Sequence, residues 1–296
     1  MRLTKIIPRG FCKGVVDAYV TTKDIASKSK GKDIYMIGWL VHNNHIIDEL
    51  ESLGVKIIDD SKKDRAQIIR NIANPEKSIV IFSAHGTDQK AIDLAKERKI
   101  EYFDLTCEYV YKTHKIIKEN LKKNKTILFI GKKGHPETIA ILALSNKITL
   151  IETLDDAKKI DLPIDENLFL TNQTTISIYD FFSIVTYLRK KFTNITFKND
   201  ICNATKERQE AIKNMDKSID LLIIVGDKKS SNSNKLVEIG KSQNVESYLV
   251  SDSSDIQWEW FQNKKHVGVS SGCSTPTYAT NGVIITINNK MLENEY

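Results

Sequence analysis

Cysteine is scarce in this chain, with four residues in 296. That is too few for a disulfide scaffold, so the thiols read as metal-binding, catalytic or buried groups of a reducing compartment. No two of them form a CxxC pair. Long apolar runs are missing as well, and nothing approaches the ~18 residues of a membrane span. The opening Met1-Arg2-Leu3-Thr4-Lys5 reaches Pro8 and Arg9 after a very short apolar run, where a secretory signal needs ~7–15 apolar residues. The expectation is a cytoplasmic protein with no membrane partner. Neither GxGxxG nor GxxxxGK[ST] occurs, so the usual glycine-rich nucleotide loops are absent. No glycine-rich linker or low-complexity tail interrupts the chain. Charge is nearly balanced, 44 Lys and Arg against 38 Asp and Glu. A nucleic-acid binder would show a basic stripe with interleaved aromatics. Here the lysines are scattered, and the densest run, Lys118 to Lys125, reads as a solvated helix face. The surplus of +6 suits a small anion or an acidic protein partner, with no nucleic acid expected.

What is present is a repeat. Cys12, Cys107 and Cys202 are spaced 95 residues apart in both intervals. Each follows a β-like stretch and a short turn. Other landmarks recur with them. The runs Ile34–Gly38, Thr126–Gly131 and Leu221–Gly226 lead to His42, His135 and Ser230, which lie 30, 28 and 28 residues after their cysteines. The runs 79–82, 168–170 and 266–269 lead to His85, to Asn172-Gln173-Thr174 and to Ser270 through Ser274. Each repeat therefore reads as strand, Cys, helix, strand, polar loop, helix, strand, polar loop, helix. A unit of about 95 residues fits the size of a small domain.

Apolar residues spaced by three and four predict helices after each cysteine. Val15, Ala18 and Thr22 to Ala26 mark the first, Val110, His114, Ile117 and Leu121 the second, and Ala204, Ala211 and Met215 the third. Further helices are expected near 43–53, 88–98, 137–146, 176–191, 233–243 and 276–280. Their alternation with strands predicts an α/β fold of three pseudo-equivalent units with mostly parallel sheets. The units are placed at 13–106, 107–200 and 201–296, the last joined by the N-terminal strand 1–12. The landmark residues then fall beyond the carboxyl ends of strands, where such sheets bind ligands.

Each landmark also has a plainer explanation. Three cysteines can be small buried residues, but equal spacing and shared turn context favour a metal site. The set offers zinc three ligands plus water, or an iron–sulfur cluster with one iron lacking a protein ligand. Cys273 has no counterpart and reads as a packing residue. His45, His114 and His266 read as structural or solvent-facing. His42, His85 and His135, all just past strand ends, suit hydrogen bonding to an anion. Ser230-Ser231-Asn232-Ser233-Asn234 opens a helix, an ordinary cap taken alone. With Ser270 to Ser274 in the equivalent second loop, an oxyanion or phosphate pocket gains weight. Glu137 is either a first-turn helix charge or a proton donor, and Thr174 can orient it.

These segments together resemble the 4-hydroxy-3-methylbut-2-enyl diphosphate reductase (LytB) family. The matching stretches are Gly10-Phe11-Cys12-Lys13-Gly14-Val15, Val41-His42-Asn43, Ser83-Ala84-His85-Gly86, Asp104-Leu105-Thr106-Cys107, Gly134-His135-Pro136-Glu137 and Asn172-Gln173-Thr174-Thr175. Asp200 to Thr205, Ser230 to Asn234 and Ser274-Thr275-Pro276 follow in family order. The resemblance implies a cloverleaf of three α/β units around one 4Fe–4S cluster held by Cys12, Cys107 and Cys202. It implies a diphosphate pocket from His42, His85, Ser230, Asn232 and Ser274, with His135 and Ser231 also lining it. Glu137 would feed protons with Thr174, and ferredoxin or flavodoxin would deliver electrons. The implied reaction is reductive removal of the substrate hydroxyl to give isopentenyl and dimethylallyl diphosphate. Two positions depart from the family: Glu108 replaces a usual proline, and Cys273 a usual small residue such as alanine. The competing assignments are a quinolinate-synthase-like cluster dehydratase and a non-enzymatic iron–sulfur or zinc sensor. The Ser230–Asn234 and His135-Pro136-Glu137 runs argue against the first. The crowd of polar groups argues against the second.

Overall fold

A computed structural model describes residues 1–41, 43–59 and 64–293. In chain order, β1 (Arg2–Lys5) is followed by α1 (Lys13–Lys28), β2 (Asp33–Ile37), α2 (Asn44–Ser52), β3 (Val55–Ile58), α3 (Arg65–Arg70), β4 (Ser78–Phe82), α4 (Gln89–Glu97) and β5 (Glu101–Asp104). Next come α5 (Glu108–Lys122), β6 (Thr126–Ile130), α6 (Pro136–Leu142), β7 (Ile148–Ile151), α7 (Leu154–Lys159), β8 (Leu168–Asn172), α8 (Ile178–Lys191) and β9 (Ile195–Phe197). The chain ends with α9 (Asn203–Lys213), β10 (Leu221–Val225), α10 (Ser231–Ser242), β11 (Glu246–Val250), β12 (His266–Ser271) and α11 (Thr277–Glu293).

The strands form three four-stranded sheets, ordered β3-β2-β4-β5, β7-β6-β8-β9 and β11-β10-β12-β1. Every pairing is parallel. The α/β class with parallel sheets is as expected. The chain divides into two compact units, Met1–Lys13 with Cys202–Tyr296, and Gly14–Ile201. The first holds one sheet and the second holds two. In the first, β1 takes the place beside β12 that β5 and β9 take beside β4 and β8.

The central strands are apolar runs because both of their faces are covered. All five residues of β4, β8 and β10 are buried. Helices pack on the sheets through apolar stripes, as when Phe181, Ile184, Val185 and Leu188 of α8 join Leu168 and Leu170 of β8.

Three strands lie beyond the expected pattern: β3, β7 and β11. They are edge strands, half exposed and interrupted by polar residues such as Lys56 and Thr149, so no apolar run marks them. The short helices α3 and α7 were also not anticipated. The helix expected at 276–280 is really Thr277–Glu293. Asn281-Gly282 looks like a stop, yet Val283, Ile284 and Ile287 bury against β10 and β12 and carry the helix onward. The expected helix 137–146 ends earlier, at Leu142.

Candidate active site

In each sheet two adjacent central strands send their following helices to opposite sides. After β2 the chain returns to β3 at one edge, and after β4 it goes to β5 at the other. Loops leaving such a pair diverge and open a crevice at the carboxyl end. The pairs are β2 and β4, β6 and β8, and β10 and β12. The site candidates follow these strands: His85 after β4, His135 and Glu137 after β6, Thr174 after β8, Ser230 to Asn232 after β10, and Ser274 after β12. His42, after β2, lies outside the described residues.

Within Gly14–Ile201 the histidines come together. The His85 and His135 rings meet edge to face with centroids 5.6 Å apart. His135 caps α6, its Nδ1 accepting the Glu137 backbone N–H at 3.2 Å. Glu137 is 1% exposed. Its Oε1 accepts the Thr174 backbone N–H at 2.8 Å and its Oε2 the Thr174 hydroxyl at 2.9 Å. Gln173 ties the two loops together, accepting the Lys132 N–H at 2.9 Å while its own N–H donates to the Ile130 carbonyl at 2.7 Å. Burial pushes the Glu137 carboxyl from 4.5 up to about 7, against the pull of the Thr174 hydrogen bonds and with help from the charge of Asp200. The carboxyl is therefore poised to hold or release a proton near neutrality.

Asp200 is a site residue that sequence reasoning did not single out. It is buried, accepts the Thr171 hydroxyl at 2.6 Å, and donates its backbone N–H to Asn172 Oδ1 at 3.0 Å. This locks the end of β8 to the stretch entering Cys202. Nothing local marks such a residue, because its partners are about 28 residues away in the sequence.

His114 is buried, in keeping with the structural alternative, and burial, with the nearby Lys118 charge adding to it, pushes its imidazole from 6.5 down to about 4. His266 is structural, bridging Thr4 and Ser218 hydroxyls at 2.7 Å each. His45 is exposed on α2. Glu137 and His114 oppose each other in the pH dependence of stability. Glu137 has a raised folded pKa, so its contribution is complete below pH 4.5 and is lost as pH rises through about 7. His114 has a depressed one, so its contribution is complete above pH 6.5 and is lost as pH falls through about 4. We therefore expect Glu137→Gln, which does not titrate, to make stability climb with pH between 4.5 and 6.5 more steeply than in the wild type. The added slope approaches one proton, about 1.4 kcal/mol per pH unit. Urea melts across that range check it, and superimposable profiles would refute the burial argument.

In the unit of Met1–Lys13 with Cys202–Tyr296, Ser230 caps α10, accepting the Ser233 N–H at 3.3 Å, with its Oγ 3.5 Å from Ser274 Oγ. Ser231 is the first residue of α10 and half-buried. Asn232 is 3% exposed, and neither its Nδ2 nor its Oδ1 has a hydrogen-bond partner among the described residues. A buried amide in that state costs about 1–3 kcal/mol, which points to a ligand that completes it. Gly272 lets β12 come this close. A Cβ there would sit 2.1 Å from Ser233 Oγ and 3.4 Å from Asn232 Nδ2.

The three repeat cysteines take equivalent places. Cys107 and Cys202 are the N-cap residues of α5 and α9, and Cys12 directly precedes α1. None is in a disulfide and all are half-buried. Among the described residues, no group of three His, Cys, Asp or Glu is placed to hold a single metal ion. An iron–sulfur cluster asks for a different donor set, thiolates spread over several irons. The helix N-termini here favour thiolate charge. Gly14 leaves room beside Cys107, since a Cβ on it would lie 2.8 Å from that sulfur. The residues present therefore fit a cluster. Glu108 begins α5 and pairs with Lys112, a first-turn carboxylate that suits the helix dipole.

The comparisons with known proteins agree along the whole chain. The family model described as LytB protein matches residues 4–288. The chain belongs to the LytB family. It is 52% identical over 294 residues to the 4-hydroxy-3-methylbut-2-enyl diphosphate reductase of Malacoplasma penetrans (strain HF-2), covering 98% of each chain. It is 39% identical over 287 residues to that of Bacillus subtilis (strain 168), covering 96% of this chain and 90% of the relative. Among solved structures, the E-1-hydroxy-2-methyl-but-2-enyl-4-diphosphate reductase from Plasmodium falciparum matches this LytB-family chain with a TM-score of 0.90 at 32% identity. That match covers 97% of this chain and 88% of the other. An (E)-4-hydroxy-3-methyl-but-2-enyl diphosphate reductase, the terminal enzyme of the non-mevalonate pathway, matches with a TM-score of 0.65 at 28% identity, covering 98% and 100%. Among the described residues no helix is long and apolar enough to cross a membrane.

Proposed function

We propose that this LytB-family protein reduces (E)-4-hydroxy-3-methylbut-2-enyl diphosphate to isopentenyl and dimethylallyl diphosphate in the cytoplasm. The observation that carries the proposal is the buried Glu137 carboxyl, clamped by Thr174 with its pKa at about 7. Removing an allylic hydroxyl as water takes two electrons and two protons. One proton goes to the leaving oxygen and one to the carbon skeleton. A buried acid that is half protonated near neutrality is suited to the first transfer, and Thr174 fixes the direction in which it points.

Cys12, Cys107 and Cys202 would hold a 4Fe–4S cluster, which supplies single electrons and a Lewis-acidic iron when bound. Ferredoxin or flavodoxin would be the electron donor. The diphosphate is assigned to His42, His85, His135, Ser230, Ser231, Asn232 and Ser274. The first turn of α10 adds backbone N–H groups to these donors. Held by such donors, the diphosphate would supply remote binding energy that orients the reacting end. The dehydratase alternative is not favoured, because the full-length relatives are named as reductases.

The test is anaerobic purification, assay of iron and sulfide, and addition of the substrate to reduced methyl viologen. Substrate-dependent viologen oxidation supports the reading. An intact cluster with no oxidation sinks it. Asn232 gives a second, sharper expectation. Asn232→Leu removes a buried unpaired amide, so the substrate-free protein gains about 1 kcal/mol. The same change deletes charge-assisted hydrogen bonds worth about 1.5–3 kcal/mol, so KM rises about 10–100-fold while kcat stays near normal. Denaturant melts and steady-state kinetics on one preparation check both halves, and an unchanged KM would remove Asn232 from the pocket.

A further inference from the structure

Cys273 is a thiol that the proposed chemistry does not use. It sits in the turn after β12 and is 8% exposed. The Cys12 backbone N–H donates to the Cys273 carbonyl at 3.0 Å. This contact sets the two backbones side by side, as a disulfide with its Cα atoms about 4.4–6.8 Å apart requires. Cys12 is also the largest cause, ahead of burial, that holds the Cys273 thiol well above its usual pKa, so the two thiols are neighbours. The Cys12 segment is pinned from both sides. The Gly10 N–H donates to Ser271 Oγ at 2.8 Å, and the Gly10 carbonyl accepts from buried Arg208 at 2.8 Å. Cys202, whose charge also reaches Cys273, is engaged elsewhere, its Sγ bonded to Thr205 Oγ1 at 3.1 Å.

We propose that Cys12 and Cys273 form an intramolecular disulfide when the chain carries no cluster, and that this bond withdraws Cys12 from cluster assembly. The second half rests on the reading of Cys12 as a cluster ligand. The oxidant is a small-molecule disulfide such as oxidised glutathione. Cys12 is half-buried and Cys273 nearly fully buried, so Cys12 meets the oxidant first. Its sulfur attacks, the small disulfide breaks, and one small thiol leaves. Cys273 then attacks the Cys12 sulfur and displaces the second small thiol with its proton. Two protein thiols are oxidised and one small disulfide is reduced to two thiols. A Cys12 bonded to iron does not enter this exchange, so the loaded protein resists it, and a reducing thiol pool reopens the site.

The experiment uses the full-length, cluster-free protein incubated anaerobically with oxidised glutathione, alkylated, digested without reductant and mapped by mass spectrometry. The expected product is a peptide pair joined through Cys12 and Cys273. It disappears on treatment with dithiothreitol and does not form in Cys273→Ala. Glutathione retained on Cys12 with Cys273 still a thiol overturns the proposal, as does a Cys202–Cys273 link. Iron and sulfide uptake is then measured on the oxidised chain before and after reduction, and a several-fold lower uptake before reduction is expected. A linked chain that loads as much iron as the reduced one overturns the withdrawal, and with it Cys12 as a ligand, while the disulfide itself stands.

Discussion

Glu137→Gln lowers kcat by about 10²–10⁴-fold, the range of a lost general acid, and leaves KM nearly unchanged. The geometry isolates the proton. Glutamine has the shape of glutamate and keeps both contacts to Thr174. Its carbonyl accepts the backbone N–H now held at 2.8 Å, and its amide donates to the hydroxyl now at 2.9 Å. The buried neutral amide is no harder to bury than a carboxyl whose pKa burial raises to about 7. The variant should therefore fold, hold iron and bind substrate. Loss of turnover with intact cluster content then reports the missing proton rather than a damaged site. In the wild type, activity should decline as pH rises past about 7, where Glu137 gives up its proton, and this limb should vanish from the residual activity of Glu137→Gln. Near-normal turnover in the variant would take Glu137 out of the mechanism.

Replacing any one of Cys12, Cys107 and Cys202 by serine removes bound iron and sulfide, whereas Cys273→Ala keeps them. Three thiolates hold the proposed cluster with no spare ligand, so one loss leaves a second iron unprotected. The caps make this a clean experiment. Cys107 and Cys202 are N-caps that make no side-chain capping hydrogen bond. Serine is among the preferred N-cap residues, worth about 0.5–2 kcal/mol over a non-capping side chain. Cys107→Ser and Cys202→Ser should thus fold at least as well as the cluster-free parent, and iron loss cannot be blamed on unfolding. A cysteine where serine would cap better also implies that something other than helix stability keeps it there. Iron analysis with matched circular dichroism decides the matter, and full iron content in one of the three serine variants would strike that residue from the ligand set.

The central strands were legible because each carries consecutive apolar residues, such as Ile79–Phe82 and Leu168–Leu170, a consequence of being covered on both faces. The edge strands were not. In β3, Val55 is buried while Lys56 is exposed, a pattern that four residues are too few to separate from a loop. The tail of α11 was hidden by Asn281-Gly282, whose local preference is overridden by burial of Val283, Ile284 and Ile287. Among site residues, the landmarks at strand ends could be found from their recurrence alone. Asp200 and Arg208 could not, since each acts through hydrogen bonds to chain segments distant in sequence.

The sequence by itself determined the threefold repeat, the parallel α/β class and the placing of thiols, histidines and serines at strand-to-helix turns. These depend on spacing and periodicity, which are local. Only the tertiary structure decided the strand order that opens each crevice and the pairing of β1 with β12. It also turned Glu137 from a first-turn helix charge into a buried acid with a pKa of about 7, left the Asn232 amide buried without a partner among the described residues, and brought Cys12 against Cys273 from opposite ends of the chain. Burial and proton affinity are properties of an environment assembled from distant segments, so no window of neighbouring residues contains them.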